Sequence, residues 1–140
     1  MSRAVLILFA HPAYHRSRAN RAMVEAVSQL DGVTLLDLYE TYPDGLIDVE
    51  REKRQLLAHQ TLVLQHPFYW YSAPALVKEW LDIVLTHGWA YGAEGRALAG
   101  KIWSHALTTG APEDAYSPQG ANRFTIEELL RPFEATAHLC

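Results

Sequence analysis

The chain has 140 residues, of which 49% are hydrophobic and 20% charged, so we expect one globular domain spanning residues 1–140. Its net charge is -4 and its 12 basic residues form no run of lysine or arginine, which argues against nucleic acid or an anionic membrane surface as a partner. Cys140 is the one cysteine, which excludes an internal disulfide bond and favours the cytoplasm.

The first half of the chain predicts two strands with a helix between them. Residues 4–10 are an unbroken apolar run, typical of a central parallel strand that is covered on both faces. Apolar residues then recur at helical spacing from 19 to 30, with Ser17 as the candidate N-cap and Gly32 just after the end. Residues 33–38 predict a second strand, and residues 40–48 a polar connection rich in turn residues.

The second half continues the alternation. It predicts a short helix over 49–59, a third strand over 61–65, a helix over 74–85, a fourth strand over 101–107 and a last helix over 125–137. Strands that alternate with helices predict an α/β fold with a doubly wound parallel sheet. Ligands of such sheets bind at the carboxyl ends of the strands, where the segments 11–20, 67–74 and 108–120 are expected to converge.

The segment 11–20 has the composition of an anion site. It leads directly into the first helix, whose opening backbone N–H groups lack partners within the helix and lie at the positive end of its dipole. Ser17 adds a hydroxyl, Arg18 a charge and Asn20 an amide, which together suit a phosphate group. An ordinary N-cap role for Ser17 explains the same residue equally well when the loop is considered alone.

Four consecutive aromatic residues follow the third strand, at positions 68–71. Neither the strand period nor the helix period can bury all four, so they predict a surface for a planar ligand such as a flavin ring. A plug over the sheet end and a subunit interface are the alternatives. The hydroxyls of Thr108 and Thr109 and the flexible Gly110 suit the polar edge of such a ring, although alone they also fit a plain strand-ending turn.

Several other types of site lack support in the sequence. Residues 95–101 approach a nucleotide-triphosphate loop, but Ile102 stands in its Ser/Thr position and the segment precedes a strand. Pro12 separates His11 and His15 from a shared helix face, so no metal site is predicted. The remaining histidines are dispersed and are predicted to be surface or core residues: His59, His66, His87, His105 and His138.

The order of these features resembles the flavodoxin-fold NAD(P)H:quinone oxidoreductases over nearly the whole chain. The resemblance rests on His11 and Pro12, Ser17 and Asn20, and the segments 67–72, 78–82 and 108–110. Segments 38–39, 42–44 and 47–48 resemble in particular the bacterial ancillary proteins of glutathione-gated potassium efflux systems. The resemblance implies a flavodoxin-like sheet of order 2-1-3-4, in which the family's fifth strand and its helix have no counterpart in these 140 residues and are expected beyond Cys140.

The resemblance also implies FMN as the cofactor, with NAD(P)H as the co-substrate and a quinone or related electrophile as the substrate. The phosphate is expected near Ser17, Arg18, Ala19 and Asn20. The ring is expected beside His11 and against two segments, namely Pro67, Phe68, Tyr69, Trp70 and Tyr71, and Thr108, Thr109, Gly110 and Ala111.

Tyr116 and Asn122 are the catalytic candidates that the resemblance implies. Tyr116 matches the family's tyrosine, whereas Asn122 stands where the family has a histidine and Ala111 where it commonly has a glycine. Asparagine donates a hydrogen bond but does not shuttle a proton near neutral pH, which favours an alternative. In that alternative the chain is a regulatory subunit of a potassium efflux transporter, with little turnover.

The resemblance further implies a homodimer. It places the protein in the cytoplasm, or at the inner face of the membrane through its transporter partner. A one-electron flavodoxin carrier is the less favoured hypothesis, because a carrier needs no aromatic surface for a substrate.

Overall fold

The computed structural model describes residues 4–140 and contains a four-stranded parallel sheet. The strands lie in the order β2-β1-β3-β4, which confirms the predicted fold class and order. Their bounds are β1 Val5–Phe9, β2 Val33–Asp37, β3 Thr61–Pro67 and β4 Ile102–Thr108. No fifth strand is present within these residues, so β4 forms one edge of the described sheet.

The register brings the carboxyl ends of the strands to a common edge. Phe9 is aligned with Asp37 on one side and with Gln65 on the other. Pro67, at the end of β3, is aligned with Thr108 at the end of β4. The loops after β1, β3 and β4 therefore begin beside one another, as expected for parallel strands of matched register.

Six α-helices connect or follow the strands within residues 4–140. They are α1 Arg18–Val27, α2 Leu38–Thr41, α3 Val49–Ala58, α4 Ala75–Val84, α5 Ile126–Leu129 and α6 Arg131–Leu139. No helix in the described part of the chain has the length and apolar run needed to span a membrane.

Two helix predictions need correction. Residues 125–137 do not form one helix, because α5 ends before Leu130 and a new helix, α6, begins after it. Pro132 lies in the first turn of α6, where its missing N–H costs nothing. Residues 38–41, predicted as strand end and polar connection, form α2 instead. The Asp37 side chain accepts from the Glu40 N–H at 3.1 Å and so caps that helix.

The core lies between the sheet and the pair α3 and α4. Helix α4 buries the apolar stripe that the sequence predicts, with Trp80 and Val84 fully buried against strand residues such as Leu64. Glu52 of α3 is also buried there. Its two carboxyl oxygens accept hydrogen bonds from the Tyr42 hydroxyl at 2.6 Å and from Trp80 Nε1 at 2.9 Å. This pairing satisfies three polar groups inside an apolar core.

Helix α1 differs from α4 in its burial. Asn20 is its one buried residue, whereas Ala19, Ala22 and Ala26 of the apolar stripe are exposed, and Leu30 just beyond the helix is 55% exposed. The helical period predicted the helix correctly, but only part of its apolar stripe packs inward, since Met23 and Val27 are half-buried while the alanines are exposed. The one fully buried residue of α1 is polar.

Candidate functional site

Three segments meet at the carboxyl edge of the sheet. Asn20 Nδ2 donates to Thr108 Oγ1 at 2.9 Å, which joins the first segment to the third. The Phe68 N–H donates to the Thr108 carbonyl at 2.8 Å, which joins the second to the third. The rings of His11 and Tyr69 lie 6.1 Å apart in an edge-on arrangement, which joins the first to the second.

The start of α1 carries a small network of polar side chains. Ser17 Oγ accepts from the Asn20 backbone N–H at 3.1 Å and from Asn20 Nδ2 at 3.0 Å. Both lone pairs of the hydroxyl are then occupied, so its remaining capacity is to donate. Thr108 Oγ1 accepts from the same amide group and likewise keeps its proton free. Ser17 therefore caps α1 and at the same time presents a donor at the positive end of the helix.

Asn20 is only 1% exposed, yet its Oδ1 has no hydrogen-bond partner among residues 4–140. Ser17 and Thr108 accept the two amide hydrogens, and because a hydroxyl can also donate, either orientation of the amide leaves one of its buried polar atoms without a partner. A buried polar atom without a partner costs free energy, so its presence indicates a ligand group that forms a hydrogen bond with it. Arg18 and Ala19, the other predicted phosphate residues, lie exposed in the first turn of α1.

The aromatic segment turns sharply away from the end of β3. Trp70 has φ 49° and ψ 47°, and Tyr71 has φ 62°, so two bulky residues in succession adopt the left-handed conformation. Such a conformation costs roughly 1–2 kcal/mol per residue. Trp70 is also 91% exposed, so packing does not compensate for this cost within the described chain. Strain in an exposed aromatic residue is typical of a functional surface.

The other aromatic side chains of this segment are better supported. Phe68 is buried, as a plug would be, with its ring centre 6.5 Å from that of Tyr71 and 6.1 Å from that of Tyr116. Pro67 is buried at the end of β3. Tyr69 and Tyr71 are both exposed. The plug alternative therefore fits Phe68 alone, and the remaining aromatic rings are open to a ligand or a partner.

The loop after β4 forms the third wall. The Tyr71 hydroxyl donates to Asn122 Oδ1 at 2.9 Å, and Thr109 Oγ1 donates to the Ala111 carbonyl at 2.9 Å. Gly120 closes the loop, because a Cβ at this position would lie 2.4 Å from the carbonyl oxygens of Asp114 and Ala115.

Together the second and third segments form an open groove of about 240 Å³. It is lined by Phe68, Trp70, Tyr71, Gly110, Ala111, Tyr116 and Asn122. Four of these seven residues are aromatic, while polar atoms form most of the exposed lining, so the groove suits a flat molecule with a polar edge.

His11 lies at the edge of the site in a partly buried position. Its Nδ1 accepts from the Ala13 N–H at 2.9 Å, which leaves Nε2 as the protonated nitrogen of the neutral ring. Burial lowers the pKa of His11, with the negative charge of Asp37 opposing this effect. Burial likewise raises the pKa of Asp37. The ring is therefore neutral and a hydrogen-bond donor at physiological pH.

Some contacts of the site region were not found from the sequence. The dispersed positions of His66 and His105 predicted no contact between them, but His66 Nε2 lies 3.2 Å from His105 Nδ1 across β3 and β4. The link between Tyr71 and Asn122, 51 residues apart, was also missed. Aligning the two strands in parallel would have placed both histidines near one another. Among residues 4–140, no group of three or more His, Cys, Asp or Glu side chains is arranged to hold a metal ion.

Known proteins share this architecture. The chain is 55% identical over 136 residues to the glutathione-regulated potassium-efflux system ancillary protein KefG of Pectobacterium carotovorum subsp. carotovorum (strain PC1), covering 97% of this chain and 74% of that protein. General stress protein 14 of Treponema denticola, solved in complex with FMN, is 44% identical with a TM-score of 0.95, covering 98% of this chain and 79% of that one.

Two further solved structures carry different functional names. An NADPH-quinone reductase from P. pentosaceus is 38% identical with a TM-score of 0.89, covering 97% of this chain and 77% of that one. A chain described as a thermophilic tryptophan halogenase from Streptomycin violaceusniger is 49% identical with a TM-score of 0.94, covering 96% of this chain and 78% of that one. Because such different names accompany one fold, the reaction has to be argued from the site.

The family assignment does not depend on those names. A family model described as the flavodoxin-like fold matches residues 3–140, which is nearly the whole chain. The sheet order and the KefG relatives agree with this match. The chain therefore belongs to the flavodoxin-like fold family, among the relatives of the KefG ancillary proteins.

Proposed function

We propose that the protein is an FMN-dependent NAD(P)H:quinone oxidoreductase. The observation that carries the proposal is the donor cluster of Ser17, Asn20 and Thr108 at the start of α1, beside a groove with aromatic walls. The solved FMN complex and the NADPH-quinone reductase among the relatives support it. The proposal includes a homodimer and a cytoplasmic location.

The donor cluster suits the phosphate and ribityl parts of FMN. The free hydroxyl protons of Ser17 and Thr108 and the first N–H groups of α1 are donors that suit an anion. Arg18 adds a positive charge in the same turn. The buried amide atom of Asn20 that has no partner suits a ribityl hydroxyl, which can both donate and accept. The residues present thus match both the charged and the neutral polar parts of the molecule.

The aromatic groove suits the isoalloxazine ring. Trp70 and Tyr71 supply flat faces, and Gly110, which has no Cβ, allows close approach of the backbone. Bound FMN would supply the hydride chemistry that joins NAD(P)H to a quinone. The chain would position the two substrates in turn and exclude water from the ring.

Tyr116 and Asn122 are the residues proposed to stabilise charge at the ring edge. Both line the groove, and the Tyr71 hydroxyl orients Asn122 by donating to its Oδ1. That bond leaves the Asn122 amide hydrogens as donors toward the groove. Reduction of the quinone by a hydride also requires a proton. Asn122 does not supply it, so in this proposal it comes from solvent or from Tyr116.

The test is a spectrum of the purified protein incubated with FMN and freed of excess cofactor. We expect a yellow protein whose visible absorbance is lost on anaerobic addition of NADPH or NADH and restored by a quinone. Free FMN at the same concentration is the control for direct reduction. A protein that binds no FMN would contradict the proposal.

A second function is favoured by the KefG relatives, which are named as ancillary proteins of glutathione-regulated potassium-efflux systems. In this version the chain binds a potassium efflux transporter and turnover is secondary. The same spectrum separates the two functions, because a regulatory subunit would bind FMN and remain yellow when NAD(P)H is added. Asn122, which cannot shuttle a proton, is the residue that favours this version.

A further inference from the structure

Three side chains behind the aromatic segment form a continuous hydrogen-bond chain. Trp103 Nε1 donates to His105 Nε2 at 3.1 Å, His105 Nδ1 lies 3.2 Å from His66 Nε2, and His66 Nδ1 lies 2.9 Å from the Pro67 carbonyl oxygen. His66 is fully buried, and the ring of Phe133 covers His105 at 4.5 Å between ring centres.

The two ends of the chain fix its direction. The indole nitrogen of Trp103 only donates, and the Pro67 carbonyl only accepts. His105 must therefore accept at Nε2 and carry its proton on Nδ1, and His66 must accept at Nε2 and carry its proton on Nδ1. Both imidazoles are neutral and both are Nδ1–H tautomers.

Neither histidine ring can take up a second proton without losing a hydrogen bond. A proton on His105 Nε2 would face the Trp103 N–H, and a proton on His66 Nε2 would face the His105 N–H. Burial lowers the pKa of both histidines, that of His105 to about 4, with His66 as a further cause. Glu134 of α6 is the charged residue that lines the cavity beside His105. The hydrogen-bond chain is therefore complete when both rings are neutral.

The hydrogen-bond chain ends at the peptide bond that begins the aromatic segment. The Pro67 carbonyl accepts from His66, and the N–H of the same peptide, on Phe68, donates to the Thr108 carbonyl. The Pro67–Phe68 peptide plane is therefore held at both of its polar ends. Two residues later the backbone enters the strained conformation at Trp70 and Tyr71, which persists only if its surroundings are fixed.

We propose that Trp103, His105 and His66 are positioning residues that fix the Pro67–Phe68 peptide plane and thereby the aromatic wall of the candidate site. The proposal rests on the proposed function where it concerns FMN. The hydrogen-bond chain itself does not depend on a ligand.

A consequence for pH follows from the same geometry. In the unfolded protein, His66 and His105 bind protons once the pH falls below 6.5, the ordinary histidine pKa. In the folded protein their pKa values are lower, so they stay neutral until the pH falls further. Stability therefore falls as the pH falls from 6.5 toward about 4. Protonation of either ring at Nε2 in this range breaks the hydrogen bond that this nitrogen accepts and so interrupts the hydrogen-bond chain, while the His66 Nδ1–H still donates to the Pro67 carbonyl.

Imidazole nitrogen NMR of the full chain tests the hydrogen-bond pattern directly. We expect His66 and His105 to give the signals of neutral Nδ1–H tautomers at pH 7. Trp103→Phe removes the donor that occupies His105 Nε2, so the His105 pKa should rise, while burial, the main cause of its low value, continues to hold it below 6.5. An Nε2–H tautomer at either residue, or no rise in the His105 pKa in the variant, would overturn the proposal.

Two substitutions at His105 test the positioning role. His105→Leu leaves His66 without its donor, and we expect about tenfold weaker FMN binding and faster amide hydrogen exchange at Phe68. His105→Gln keeps a neutral acceptor and donor, so its affinity and exchange should stay within about threefold of the original protein. Unchanged Phe68 exchange in the leucine variant would refute the role.

The hydrogen-exchange readout needs no cofactor. If the original protein binds no FMN, the proposed function fails, while the tautomers and the Phe68 exchange still decide the positioning role. If FMN binds but His105→Leu binds it as tightly as the original protein, the proposed function stands and the positioning role is wrong.

Discussion

Replacing Asn20 with aspartate is expected to weaken FMN binding about 100-fold or more while leaving the chain folded. The isosteric carboxylate accepts hydrogen bonds, so the hydroxyls of Ser17 and Thr108 turn their protons inward to it. The phosphate then loses two donors and meets a negative charge at the start of α1. A fluorescence titration with FMN measures the affinity, and thermal unfolding without FMN checks the fold.

Gln29→Glu provides the matched control for this substitution. It makes the same change from amide to carboxylate and the same change in net charge, but at an exposed residue beyond the end of α1. We expect its FMN affinity to stay within about twofold of the original protein, since charges at the surface are screened by salt. Equal loss of affinity in both variants would show that net charge, and not the Asn20 network, controls binding.

Replacing Glu52 with alanine is expected to cost about 3–5 kcal/mol of unfolding free energy. Its carboxyl group is 1% exposed and is the acceptor for both the Tyr42 hydroxyl and the Trp80 indole N–H. The substitution leaves two buried donors without partners, each costing roughly 1–3 kcal/mol, and opens a cavity beside them. Urea denaturation followed by circular dichroism measures the change.

The control is Glu50→Ala, two residues away on the same helix. The Glu50 side chain is 75% exposed, and its Oε1 lies 4.0 Å from Lys53 Nζ. An exposed ion pair of this kind contributes little to the free energy of unfolding. We expect a change below about 0.5 kcal/mol. A similar loss in both variants would mean that the effect comes from helix α3 in general and not from the buried carboxyl group.

The sequence predicted the fold well where hydrophobic patterning and position agree. The apolar run of β1 and the stripe of α4 indicate burial unambiguously, and the parallel sheet follows from their alternation. It failed where a local side-chain contact decides the backbone. Asp37 begins α2 by capping the Glu40 N–H, and Pro132 separates α6 from α5, effects that hydrophobic period does not register.

The sequence predicted the location of the site better than it predicted the hydrogen bonds within it. Topology indicates that the loops after β1, β3 and β4 meet, whatever their residues. The link from Asn20 to Thr108 spans 88 positions and depends on the register of β1, β3 and β4. The direction of the histidine chain depends on a tryptophan N–H at one end and a carbonyl at the other. Parallel alignment of β3 and β4 brings the two histidines near one another, but the partners and directions of these hydrogen bonds require the three-dimensional structure.

The measurement that tests the central claim most directly compares the affinities of FMN and riboflavin for the same protein. The two molecules share the isoalloxazine ring and the ribityl chain and differ only in the phosphate group. If the phosphate binds the Ser17 hydroxyl and the first N–H groups of α1, FMN should bind about 100-fold more tightly, the equivalent of one or two charge-assisted hydrogen bonds. Equal affinities, or no binding of either molecule, would contradict the account.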